Sequence, residues 1–418
     1  MYGDIYMLEI IKYNSRYKSE WDEFVKGAKN GSFLFLRDYM EYHSDRFTDF
    51  SLVALKDGKI CGLLPANIKG ETVYSHQGLT YGGWVTSAKG LSAPEMLEMW
   101  SIMKDFLRAE GVKKLVYKAM PHIYHIYPAE EDLYALFLSN AKIEATLISS
   151  VLDLEHRLPF DRSPRRGIVS ALQSGVKVCE SDDYAGFWDV LCERLHDKYD
   201  SKPVHSLQEM LLLKSLFPEN IRLFTAVYEG EIVAGIILYL SETAAKAQYC
   251  ATTEKGRKLR VLPAMYDVIL NSLPETCRYF DFGTSNEDGG KILNTGLINQ
   301  KYSYGGRAVV YTTYSIDILF VTHFAYLCGN LLTFAVYLQH DIIPPFCFLS
   351  DLCFRFWFCQ KCGNCCYGWE KGNNRRLHGT CFYRKRQSRQ LLLPHKCLWA
   401  YHFGISECYA GQIRKSGE

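Results

Sequence analysis

Asp281 and Lys301 are the residues whose type and setting most suggest chemistry. They lie in one stretch, Tyr279 to Arg307, that starts as an aromatic-rich alternating segment (Arg278-Tyr279-Phe280-Asp281-Phe282) and therefore predicts a strand. Gly283 ends it, and a Gly/Asn/Asp/Ser-rich loop leads to Gly296-Leu297-Ile298-Asn299-Gln300-Lys301, then Tyr304-Gly305-Gly306 and a β-branched strand over Ala308–Thr313. Glycines let a backbone pass close to a bound group. A single lysine on such a loop beside a sheet edge reads in two ways. It holds an anionic substrate, or it is the exposed lysine of a hairpin. Asp281, at a strand end, is a carboxylate for a general base or amine anchor; the competing reading is a turn cap.

The elements around this stretch alternate strands and helices. Strands are expected over 5–12, 51–55, 60–66, 113–118, 146–154, 222–227, 232–240, 244–251 and 278–282. Helices are expected over 19–28, 37–46, 94–110, 186–199, 207–216 and 261–273, from apolar spacing on one face. Asp57-Gly58 and Glu229-Gly230 are hairpin turns. The segment Val53–Gly62 parallels Ala226–Gly235, and each is followed by a helix and a strand at similar distance. Two copies of one strand–hairpin–strand–helix–strand unit indicate an internal duplication. The joining segment, 153–174, carries Arg157, Arg162, Arg165 and Arg166. These form either a solvated linker face or a phosphate grip.

The pattern Asp281-x-Gly283, then Gly296-Leu297-x-x-x-Lys301-x-x-Tyr304-Gly305-Gly306 and a closing strand, resembles the C-terminal signature of the Fem-like branch of the GNAT acyltransferase superfamily. That branch comprises peptidoglycan-bridge aminoacyltransferases and acetyltransferase-like relatives. Better-known members carry Phe where this chain has Gln300 and Tyr304, a departure that bears most on the peptidoglycan-bridge enzymes. The resemblance implies an α/β fold of tandem duplicated GNAT-like domains around a central cleft. The boundaries expected are 1–152 for the N-terminal domain and 153–317 for the C-terminal domain, which holds the donor.

In GNAT proteins the pyrophosphate of the donor lies on backbone N–H groups where a helix follows a splayed strand, the helix-terminus and nest effect. The equivalent point here is Cys250–Arg260. Thr253, Gly256, Arg257, Lys258 and Arg260 are the cofactor-binding candidates, and Lys255 adds a further cation. Gly256 meets half of the usual Gly-x-Gly/Ala pattern. The corresponding loop of the first half has no such basic glycine motif, so the donor, an acetyl-CoA or another acyl-CoA, is assigned to the second half. His76, Tyr81, His205 and Tyr304 are candidates for substrate contact; a hydrogen-bonded structural histidine is the plainer reading of His76.

The implied activity is N-acyl transfer, other than amino-acyl transfer, to an amine on a sugar or cell-envelope precursor. Aminoacyl-tRNA is the alternative donor. A non-catalytic GNAT-like binding protein, anchored at a membrane by its tail, is the rival class. Residues 1–317 carry a net charge of −5, a poor base for polyanion binding, so nucleic acid is not an expected partner apart from tRNA in that alternative. Five unpaired cysteines there, and no secretory leader pattern, fit a cytoplasmic protein.

Residues 318–418 differ: net +7 and ten of the 15 cysteines. Residues 318–340 carry no charge and are long enough to span a bilayer, the one stretch through which membrane contact could run. Cys359-x-x-Cys362-x-x-Cys365-Cys366 invites a zinc or iron–sulfur reading, but a ferredoxin-type run needs a fourth cysteine where Trp369 stands. No metal is expected. The segment holds no helical or strand period for long and is read as a poorly ordered extension, not an evolved domain.

Overall fold

The computed structural model describes residues 7–318 apart from Gly90 and Asp200. The expectations for the cysteine-rich tail therefore fall outside the described residues, as do the first residues of the opening strand.

In the first half the chain forms β1 (Leu8–Lys12), α1 (Lys18–Gly27), α2 (Arg37–Glu41), β2 (Thr48–Asp49), β3 (Leu52–Lys56), β4 (Lys59–Leu64), β5 (Asn67–Lys69) and β6 (Thr72–Tyr74). β7 (Val85–Thr86), α3 (Ala93–Ala109), β8 (Lys114–Lys118), α4 (Glu131–Leu138) and β9 (Lys142–Asp153) complete it. The second half has α5 (Arg162–Gln173), β10 (Lys177–Ser181), α6 (Tyr184–Tyr199), α7 (Leu207–Leu216), β11 (Ile221–Tyr228), β12 (Glu231–Leu240) and β13 (Ala244–Thr252). Then come α8 (Glu254–Lys258), α9 (Val261–Asn271), β14 (Tyr279–Thr284), β15 (Asn286–Glu287), β16 (Ile292–Leu293), α10 (Thr295–Ser303) and β17 (Arg307–Asp317).

The duplication is visible in backbone detail. Asp57-Gly58 and Glu229-Gly230 both hold positive φ at the two turn positions, the requirement of a type I′ hairpin. In β3–β4 the pairing passes from Leu55–Ile60 to Ala54–Gly62, leaving Cys61 as an extra residue. In β11–β12 it passes from Val227–Ile232 to Ala226–Ala234, leaving Val233. The bulge sits at the same step from the turn in both copies.

Eleven strands form one sheet in the order β10-β11-β12-β13-β14-β9-β17-β8-β6-β5-β2, and β1-β3-β4-β7 form a second. The centre of the large sheet is symmetric. β9 and β17 pair antiparallel; β14 flanks β9 and β8 flanks β17, both antiparallel. Beyond each flank lies a parallel pair, β13 with β14 and β6 with β8. β9 ends the first half in sequence yet pairs with β14 of the second, while β17 ends the second yet pairs with β8 of the first. A cut at 152/153 divides the halves in sequence but runs through hydrogen-bonded sheet.

Three apolar layers hold this together. One surrounds α3 in the first half, with Trp84, Trp100 and Met103. One lies under α5 and α9 in the second, with Phe280, Phe282 and Met265. The third lies between the halves, where Phe33 and Tyr39 meet Phe217 and Tyr239. No helix of the described residues is long and apolar enough to cross a membrane.

Candidate active site

β13 and β14 run parallel for three residue pairs only, Ala244–Tyr279, Ala245–Phe280 and Lys246–Asp281. Beyond that the strands separate. β13 also bulges there: its pairing with β12 passes from Tyr249–Ile237 to Ala247–Leu238, leaving Gln248 as the extra residue. The result is a gap in the sheet, with α8 and α9 following directly from its β13 wall.

On the outer face, a cavity of about 440 Å³ lies against this gap. Gly256, Arg257 and Arg260 line it, with the first turn of α5 (Ser163, Pro164), the first turn of α9 (Val261, Leu262) and Gln300 and Tyr304 from the α10 region. Arg260 adopts φ +56, and neither it nor Asp161 caps its helix with a side-chain bond. Two helix N-termini with uncapped N–H groups and two arginines thus converge on one cavity, an arrangement suited to an anion. Arg260 Nη2 is anchored by Ser163, to its carbonyl oxygen at 2.6 Å and its Oγ at 2.8 Å. Arg257 Nη1 donates to Thr252 O at 3.0 Å.

The remaining predicted donor residues have other work. Thr253 caps α8: its Oγ1 accepts from Gly256 N–H at 3.1 Å and donates to Val233 O at 3.1 Å. Lys258 points outward to Glu254 at 2.8 Å and does not line the cavity. Gly256 is needed by the fold as well as the cavity, since a Cβ there would come within 2.3 Å of the Val233 bulge carbonyl. Of the four arginines of the joining segment, Arg162, Arg165 and Arg166 lie exposed on α5, a full 12-residue helix, while Arg157 precedes it and packs over the Phe160 ring.

Asp281 corrects the expectation of a base or an anchor with a free oxygen. It is fully buried and its oxygens accept from Ser149 Oγ, Tyr311 Oη, Tyr124 Oη (2.7 Å) and Gly283 N–H (2.8 Å). Four donors satisfy the carboxyl group inside the sheet. Lys301 is likewise not an exposed hairpin lysine. It lies on α10, 7 % exposed, and donates to Gly283 O (2.7 Å), Thr284 O (2.9 Å) and Ser285 Oγ (3.0 Å). Burial pushes its ammonium down to about 8, against the opposing pull of Asp281. All three N–H bonds are committed to the end of β14 and the residue after it, so none is left for a substrate anion.

Tyr81 is buried, hydrogen-bonded to Ser32 Oγ at 3.1 Å, with its ring on Tyr124 at 4.5 Å. It thereby joins the Asp281 cluster from the first half. His76 and His205 lie elsewhere, in a column of stacked rings: His76 on His43 (5.2 Å), His43 on Tyr42 (4.3 Å), Tyr42 on His205 (5.7 Å). His205 Nδ1 and Tyr249 Oη are 2.6 Å apart. Burial lowers His76 to about 3 and His205 to about 4. These two are corrected from substrate contacts to neutral packing groups at the seam of the halves. Tyr304 packs between Phe160, Tyr266 and Phe282 with its edge on the cavity.

Lys246 was not among the sequence candidates. It follows two alanines of a central strand, and an isolated lysine at that place is itself a signal. It is the last residue of β13 paired with β14. Asp153, Glu155 and His156 bring ligand atoms within 4.8 Å of one another at the end of β9. The Asp153 carboxylate there accepts from the N–H groups of Glu155 and His156, as a tight turn requires.

Comparison with known proteins bears on the second half first. Residues 162–288 match the family described as an acetyltransferase (GNAT) domain. No curated protein sequence matches the chain significantly. Among solved structures, FemX is similar at 13% identity and a TM-score of 0.54, over 74% of this chain and 97% of that one. A conserved protein of unknown function from Bacteroides thetaiotaomicron is similar at 14% identity and a TM-score of 0.50, over 74% of this chain and 99% of that one. A tandem GNAT protein from the clavulanic acid biosynthesis pathway aligns at 11% identity and a TM-score of 0.44, over 76% of this chain and all of its own length.

Proposed function

Taking the chain as a Fem-like member of the GNAT acyltransferase superfamily, we propose that it transfers an acyl group from acyl-CoA to an amine on a sugar or cell-envelope precursor. The observation that carries this reading is the cavity where the first turns of α5 and α9 meet Arg257 and Arg260, directly beside the β13–β14 gap. A pyrophosphate fits that cradle by charge and by free N–H groups. A thioester extending from it enters the gap, and the acceptor amine approaches from the face turned to the first half. Holding both reactants in one gap removes translational freedom from the reaction.

Aminoacyl-tRNA is the second reading of the donor. Its support is the exposed arginine face of α5, Arg162, Arg165 and Arg166, next to the same cavity. A backbone longer than one pyrophosphate has cations to follow there.

Thermal unfolding of the full chain tests the proposal. Acetyl-CoA at about 100 times its Kd adds about 2.7 kcal/mol of stability and raises the Tm. Leu262→Trp, which fills the cavity mouth from a half-buried position of α9, abolishes that rise while leaving the unliganded Tm within a few degrees. Gly256→Trp cannot serve, because the bulge carbonyl of Val233 leaves no room for any side chain. A rise with a tRNA acceptor-stem RNA and none with acetyl-CoA transfers the assignment to the second reading.

A further inference from the structure

The ladder between β13 and β14 ends at Lys246–Asp281, and beyond it each strand still presents two faces. Side chains alternate along a strand, and those two faces are chemically different. Ala245, Ala247, Phe280 and Phe282 pack outward under α5 and α9, on the face of the donor cavity. Cys250 belongs to this face too, since its Sγ accepts from Tyr266 Oη of α9. Lys246 and Asp281 are direct partners on the opposite face, the one turned to Tyr124 and Tyr311.

We propose that Lys246 is the general base of the acyl transfer, an inference that rests on the donor reading above. The acceptor amine enters on the Lys246 side and attacks the carbonyl carbon of a thioester reaching through the gap. The C–N bond forms, the C–S bond breaks, and CoA leaves as its thiolate. The proton released by the amine passes to Nζ of neutral Lys246, and the Asp281 carboxylate holds the charge of the ammonium so formed.

The neighbouring groups are each excluded by geometry. Asp281 has no exposed oxygen and four donors upon it. Lys301 has three oxygen partners. Tyr124 and Tyr311 donate to Asp281 and lie 2.9 Å apart. Lys246 is half-buried and is held by the bulge residue, Nζ to Gln248 Oε1 at 2.8 Å. It is thus positioned where the paired strands part, with some of its surface still accessible. The charged and titratable groups that face it are Asp281 on β14, Lys301 on α10, and the two tyrosines from the first half and β17. Burial lowers its ammonium from the ordinary value, and Asp281 opposes that. A lysine brought toward neutral pH is the form a general base needs.

Competitive trace acetylation with acetic anhydride between pH 6 and 11, read lysine by lysine by mass spectrometry, tests this on the full chain. Lys246 is expected to become reactive at a lower pH than the exposed lysines as a group. Asp281→Asn moves it lower still. Saturating acetyl-CoA slows its labelling at least about fivefold, because the thioester occupies the gap beside it. Lys246→Gln retains the acetyl-CoA-induced rise in Tm. Titration of Lys246 together with the surface lysines overturns the assignment. So does unprotected labelling in a protein whose Tm acetyl-CoA does raise, or a Lys246→Gln variant that no longer responds to acetyl-CoA. A parent chain with no Tm response defeats the donor reading instead, and that result is separate from the titration.

Discussion

The two halves contain the same gap, and only one of them is open. In the first half β6 and β8 run parallel for three pairs, Thr72–Lys114, Val73–Leu115 and Tyr74–Val116, as β13 and β14 do in the second. There the chain after β6 turns back and fills the space. Ser75 N–H donates to Val116 O and Gly82 N–H to Lys118 O. Lys118 Nζ gathers the carbonyls of His76, Gln77 and Leu79 at 3.3, 3.2 and 2.8 Å. A Cβ at Gly82 would lie 1.8 Å from Ser75 O, so the plug is close-packed backbone. In the second half the chain after β13 leaves as the capped helix α8, and the lysine of the matching role, Lys301, grips the far wall. Both lysines are pushed down to about 8 by burial. One closes a gap and the other braces it. A duplicated fold can keep two copies of a scaffold and leave the gap unfilled in one of them.

Removing each lysine tests this difference most severely. Lys118→Met and Lys301→Met each leave three oxygen acceptors without their cation, two of the six being the buried or half-buried ends of a sheet strand. Each is expected to cost about 3 kcal/mol in denaturant unfolding. The variants part company in donor binding. Lys301→Met lets the β14 end relax and weakens acetyl-CoA by at least about tenfold, whereas Lys118→Met leaves it within about twofold. Equal losses of affinity would show that the two lysines are not a brace and a plug.

The seam between the halves gives a smaller, pH-dependent effect. His76 and His205 there, and His125 within the first half, are held neutral, at about 3, 4 and 4, by burial. Their folded values lie below the unfolded value, so the unfolded chain binds more protons in the window from about 6.5 down to 4. The stability they contribute is complete above that window and is lost as pH falls through it. Stability at pH 7 should exceed that at pH 5 by more than about 1 kcal/mol, and His76→Gln with His205→Gln should flatten the slope. A flat profile in the parent chain would mean that the ring column is open to water.

Much of this molecule is legible in local sequence. The hairpins announce themselves in Asp57-Gly58 and Glu229-Gly230, and α7 spans the residues its pattern predicts, because Ser206 and Glu209 form a capping box. Two helices were harder. α10 contains Gly296 and no continuous apolar stripe; its signal is Asn294, whose side chain accepts from Leu297 N–H at 2.9 Å. α5 reads from the sequence only as a short helix after a loop, yet it runs for 12 residues, because Pro164 sits in the first turn where a proline costs no hydrogen bond. β10 and α4 were not anticipated. The exchange of β9 and β17 leaves no local trace, since pairing between residues some 160 apart is set by the whole fold. For the site, the basic loop after β13 is legible in the sequence, but which of its cations face the cavity depends on the αL turn at Arg260. Burial decided the fate of Asp281, Lys301 and His76, and burial is a property of the assembled layers.

The smallest effect concerns the open gap's own hinge point. Thr253 caps α8 with one hydroxyl that both accepts from Gly256 N–H and donates to the Val233 bulge carbonyl. Thr253→Ala loses the cap and should cost about 1 kcal/mol, whereas Thr253→Ser keeps both bonds and should cost less than half of that. The first half has its bulge at Cys61, whose Sγ lies 3.5 Å from Ala54 O, and no helix is capped on it. Cys61→Ala should therefore leave acetyl-CoA binding unchanged, while Thr253→Ala weakens it slightly by loosening the turn that carries Arg257. If both substitutions leave the acetyl-CoA-induced Tm rise equal to that of the parent chain, the bulge is a relic of duplication in both halves, and the donor cradle draws its order from α9 and α5 alone.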